Sequence, residues 1–146
     1  MKIIFNTLTW LTILALIVVA QPTKAEQKIT KDNWDIHYIA FNSTFLKPDI
    51  AKNYQIVRSK YNAVINISVL DTNKNNAAQR VFIKGSAKNL LGQNKDIKFK
   101  QITEGKSIYY IAQINFTHEE TFKFNIAITQ GDRTETLKFQ QMFYAE

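Results

Sequence analysis

The strongest constraint in this sequence is an alternation. In SIYYIAQINF, Ile108, Tyr110, Ala112, Ile114 and Phe116 fall on one side of an extended chain, with Tyr109, Ile111, Gln113 and Asn115 on the other. In TFKFNIAITQ the apolar side holds Phe122, Phe124, Ile126 and Ile128. Successive side chains of a strand point to opposite faces, so a period of two marks a strand with one dry face. Five further segments follow the same rule. WDIHYIAF aligns Trp34, Ile36 and Tyr38, and YNAVINISVL aligns Tyr61, Ala63, Ile65, Ile67 and Val69. RVFIKGSAK aligns Val81, Ile83, Gly85 and Ala87, DIKFKQI aligns Ile97 and Phe99, and TLKFQQMFY aligns Leu137, Phe139 and Phe143.

Turn-forming residues separate these segments. They are Thr72 to Asn76, the stretch around Gly92, Glu104-Gly105, and Gly131-Asp132, where Gly131 suits the first central position of a type II′ turn. About seven one-sided strands with mostly local connections predict an all-β fold, an immunoglobulin-like antiparallel β-sandwich.

One connection is long for a compact domain, running from Phe41 to Tyr61. Pro48 suits a first helical position and Asn53 a helix end, so a short helical turn is expected near Pro48, although Lys47 is a poor N-cap. Phe45, Leu46, Ile50, Tyr54, Ile56 and Val57 give this segment enough apolar surface to pack across an open end or edge of the sandwich. It reads either as a lid on the core or as a binding site.

The start of the chain reads differently. Lys2 precedes an apolar run from Ile3 to Ala20, Pro22 breaks it, and Thr23 and Ala25 supply small residues at −3 and −1. This pattern predicts a cleaved secretory signal peptide over residues 1–25, cut after Ala25, with Ala20 the lesser candidate. The run is short for a bilayer span and carries Asn6, Thr7, Thr9 and Thr12, so no stable membrane anchor is expected. Residues 26–146 then form one domain.

Nineteen Lys and Arg residues, less Lys2 and Lys24, oppose twelve acids, leaving a net charge of about +5 on the expected mature chain. The basic residues never form a run of five, as a solvated surface would have them, and export argues against a nucleic-acid partner. There is no cysteine. Thiol catalysis and thiolate metal ligation are excluded, and packing alone must hold the fold in an oxidising compartment.

The residues that could carry chemistry are few. His37 lies on the face opposite Trp34 and Ile36. His118, Glu119 and Glu120 in THEE could hold a divalent ion, although adjacent strand-end carboxylates tend to point apart. No serine stands in the context of a nucleophile elbow, and no carboxylate pair shares an evident cleft. No enzyme activity and no cofactor are therefore expected. Val64, Leu70, Phe82, Tyr109, Ile111, Met142 and Tyr144 are off the inner stripes and would form an apolar patch if several adjoin.

The blocks AFNSTFL, RSKY, NISVL, NLLGQ, YYIA and EETFKF, spread over nearly the whole mature chain, resemble domain of unknown function 4426, a family of small exported proteins of Gram-negative bacteria. The resemblance implies a periplasmic address and a single sandwich-like domain, and no activity. It draws attention to Arg58 and Lys60, Asn89 and Gly92, and Glu119 and Glu120. The expected function is non-catalytic binding of another protein or envelope component through a sheet face or edge, together with the Phe41–Tyr61 connection. Arg58, Lys60 and Tyr61 are the expected contacts. The alternative is a small-ligand or metal module built on His118, Glu119 and Glu120, with an unrecognised hydrolase behind it.

Overall fold

A computed structural model describes residues 26–146; the expected signal peptide and its cleavage site lie outside the described residues. The alternating segments are strands. In chain order they are β1 (Gln27–Lys31), β2 (Trp34–Asn42), β3 (Asn62–Asp71), β4 (Ala77–Ala78), β5 (Phe82–Asn89), β6 (Asn94–Ile97), β7 (Lys100–Glu104), β8 (Ser107–Asn115), β9 (Glu120–Gln130) and β10 (Arg133–Phe143). One helical turn, α1 (Pro48–Asn53), follows a 3-10 turn at Ser43–Phe45. Among the described residues no helix is long and apolar enough to cross a membrane.

All strand pairs are antiparallel and form two sheets. The first runs β1-β2-β3-β8-β7, with β4 attached to β3; the second runs β10-β9-β5-β6. Their facing sides share one core. Ile36, Ile65, Ile67 and Val69 from the first sheet, and Phe122, Ile126, Ile128 and Leu137 from the second, are completely buried. Each such side chain contributes about 1.5–3 kcal/mol relative to exposure. Rings join the layers where Tyr38 meets Phe139 at 4.7 Å between centroids and Phe116 stacks on Phe143 at 5.1 Å.

The strand count corrects the sequence reading in three places. QKITK forms β1, which pairs with β2 although only Ile29 packs on the core. Ala77 and Ala78 pair briefly with β3. DIKFKQI is two strands, because the chain crosses between sheets at Lys98 and Phe99: β6 pairs with β5, and β7 pairs with β8. Gly85 makes room for that crossing. A Cβ placed there would stand 3.0 Å from Ile126 Cγ1 and 3.1 Å from Phe99 Cε2. Tyr61 was expected on the inner face, but β3 begins one residue later and Tyr61 is exposed.

The far ends of the two sheets are stitched by polar contacts. Arg133, at the start of β10, donates to Lys31 O and Asn33 Oδ1, both at 2.8 Å, and lies 3.9 Å above the Trp34 ring. Asn42 Nδ2 donates to Tyr144 O at 2.6 Å near the opposite end. At the tight turns Gly105 and Gly131 take φ of +56° and +57°, a region glycine occupies without strain.

Candidate binding surfaces

The connection from Phe41 to Tyr61 lies on the outer face of the first sheet, not across an end or edge of the sandwich. Ala51 and Ile56 bury against Val64 of β3, with Phe41, Leu46, Tyr54 and Ile111 packed around them. Two of the outward apolar residues, Val64 and Ile111, are thus covered. Phe82, Met142 and Tyr144 remain exposed elsewhere.

Hydrogen bonds hold the connection in place. The Ser43 hydroxyl donates to Ser59 O at 3.0 Å and accepts from Ser59 N at 2.9 Å. Gln113 Oε1, on the outward side of β8, accepts from Val57 N at 2.9 Å and from Asn62 Nδ2 at 2.8 Å. The Arg58 guanidinium donates to Leu46 O at 2.8 Å and Thr44 O at 3.2 Å. Of the three expected contact residues, Arg58 therefore fastens the connection to itself. Lys60 and Tyr61 are exposed, with Lys60 Nζ 5.1 Å from the Tyr61 ring centroid.

Between the connection and the sheet lies a cleft of about 310 Å³. Its walls include Phe41, Leu46, Ile50, Tyr54, Ile102 and Tyr109. Asn66 and Glu104 supply its polar lining, and the buried Asn66 Oδ1 has no hydrogen-bond partner. A buried acceptor without a partner costs about 1–3 kcal/mol. The size is at the lower end of ligand clefts, and the apolar lining with few polar groups fits that class.

Tyr109 also borders a second, more polar cleft of about 410 Å³ on the same face. His37, Ser68, Lys106 and Glu26 line it. His37 stands opposite Ser68 in the β2–β3 ladder, and its Nδ1 is 3.8 Å from Glu26 Oε1. Among the described residues no hydrogen bond joins Ser68 to His37, and Ser68 sits mid-strand rather than on an elbow. Sequence reasoning placed His37 on the face opposite Trp34 and Ile36 but missed this grouping, since only the strand register brings Ser68 to it.

His118, Glu119 and Glu120 do not converge. His118 Nδ1 accepts from Ala145 N at 3.1 Å, and its Nε2 is 3.7 Å from Glu119. Glu120 turns away and accepts from Thr117 N at 2.6 Å and Asn89 Nδ2 at 3.0 Å. Burial pushes the Glu120 carboxyl up, but the bonds from Asn89 and Thr117 outweigh it and hold the group below its ordinary range. Among the described residues no three His, Cys, Asp or Glu side chains gather as a metal site. Asn89 also accepts from Leu91 N and Gln93 N through Oδ1, which explains its place beside Gly92, whose φ is +83°.

Comparison with known proteins agrees with this architecture. A crystal structure of a DUF4426 family protein from Pseudomonas aeruginosa PAO1 is 32% identical with a TM-score of 0.72, over 83% of this chain and 96% of that one. FetP from uropathogenic Escherichia coli strain F11 is 10% identical with a TM-score of 0.56, over 84% of this chain and 95% of FetP. A copper-bound variant of FetP is 9% identical at the same TM-score, over 84% and 92% of the two chains. These two share the fold alone with this protein. No curated protein matches. Residues 28–146 match the family described as Domain of unknown function (DUF4426), and the chain belongs to that family.

Proposed function

We propose that the protein is a non-catalytic, exported binding module that holds another protein or envelope component on the outer face of its first sheet. The observation that carries this reading is the apolar cleft beneath the Phe41–Tyr61 connection. An outward sheet face ordinarily meets water, whereas this one offers aromatic and aliphatic walls. A partner seating one apolar side chain between Tyr54 and Tyr109 would use those walls. Such buried central anchors carry most of the energy of an interface. Lys60 and Tyr61 would lie at the rim.

A photo-crosslinking amino acid in place of Ile50, at the cleft, tests the reading in intact cells. Phe82, exposed on the other sheet, is the control position. The expected result is a discrete crosslinked product from position 50, absent from position 82 and lost with Tyr109→Ala. No product above background at position 50, or the same products from both positions, would overturn it.

A further inference from the structure

The outer face of the second sheet is basic. Positions that alternate with the core residues of β5, β9 and β10 carry Lys84, Lys88, Lys123 and Lys138. Among the described strand residues of that face the one acid is Asp96 of β6, opposite Ser86. Lys88 and Lys123 stand directly opposite each other in the β5–β9 ladder. Like charges so placed destabilise a sheet. Among the described residues neither has an ion-pair partner within reach; the lysine ion pairs are those of Lys28 and Lys74. The fold thus keeps a repulsion that a single glutamine would remove.

The lysine pair borders a shallow cleft of about 510 Å³ that also includes Lys138, Asn94, Asn125 and Gln140, each with N–H donors to offer. Immediately beyond Lys88, the β5–β6 hairpin ends in Leu90 and Leu91, which are 69% and 86% exposed. Thr121 borders these leucines and pairs with Met142 of β10, which is exposed too. A basic flank and an apolar tip therefore meet at one end of the sheet, with Glu119 and Glu120 the acids beside the leucines and Glu120 tied back to Asn89 and Thr117.

We propose that this end docks on a bilayer surface bearing anionic lipid headgroups. Leu90 and Leu91 enter the boundary between headgroups and acyl chains, and Lys88, Lys123 and Lys138 lie against the phosphates. A soluble polyanion would use the lysines and leave the leucines in water. A lipid surface uses both, and apolar insertion combined with basic charge is how a peripheral domain gains lasting contact. Each lysine near such a surface is worth roughly a fivefold gain in binding, diminished by salt.

The test is sedimentation of the chain, purified from cells, with vesicles of phosphatidylethanolamine and phosphatidylglycerol, and with vesicles of phosphatidylcholine. Two variants, Lys88→Gln with Lys123→Gln and Leu90→Ser with Leu91→Ser, run beside it. All three share one N terminus, so a difference between them belongs to this face. The expected result is binding to the anionic vesicles, weakened about tenfold or more by either pair of substitutions and by raised salt. The lysine variant melts no lower than the parent, which separates lost docking from lost folding. Absence of binding to anionic vesicles, equal binding to phosphatidylcholine, or indifference to either pair of substitutions would overturn the proposal.

Discussion

At the scale of single residues, the decisive positions are those whose side chains join distant parts of the chain. Gly85 is one. Its inward phase is plain from RVFIKGSAK, but the reason for a glycine is the Phe99 ring that crosses in front of it. Gly85→Ala should lower stability in urea unfolding by about 1–3 kcal/mol, the usual cost of overfilling a packed site. Asp71 is another. Hydrogen bonds from Asn33 and the Asn73 amide, with Lys74 nearby, hold its carboxyl below the ordinary value of 3.8, against an opposing effect of burial. Glu120 is held below its ordinary 4.5 by Asn89 and Thr117. A carboxyl whose value is lower folded than unfolded stabilises the fold above the unfolded value and loses that contribution as pH falls through the folded one. Stability should therefore fall as pH drops below about 4.5, and Glu120→Gln should flatten the upper part of that decline. Thermal melting across pH 2–7 measures both.

At the scale of elements, the long strands were legible because half of each is dry. Every residue in the predicted inner stripes of β8 and β9 is buried. The α1 bounds follow from Pro48 and Asn53, and Lys47 makes no side-chain cap, as its chemistry implies. β1 was not legible, since an edge strand with one packed residue carries almost no alternation. The break between β6 and β7 was hidden for a different reason. The inward phase of Ile97 and Phe99 continues unbroken while the chain changes sheets. The site was legible in part: the connection's apolar content marked it, but neither its resting place on the outer face nor its fastening to Gln113 leaves a local signal, Val57 and Gln113 being 56 residues apart. Gln113→Leu removes the acceptor shared by Val57 N and Asn62 Nδ2. It should cost about 1–2 kcal/mol and accelerate hydrogen exchange at the Val57 amide about tenfold or more, with amides in β9 unaffected at first.

At the scale of the whole molecule, two sheets around one apolar core hold a cysteine-free chain by packing and by cross-sheet contacts such as Arg133 on Trp34. Family membership and shared fold follow from the matches to DUF4426 and to its Pseudomonas relative. What the molecule offers a partner is divided between its flanks: an aromatic cleft outside the first sheet and a lysine face outside the second. Hydroxyl-radical footprinting in intact cells, against the purified chain, tests the central reading of the first flank most directly. The account predicts that oxidation of Tyr54 and Tyr109 falls several-fold in cells while Phe82 is oxidised alike in both settings. Equal oxidation of the two tyrosines inside and outside the cell would contradict it.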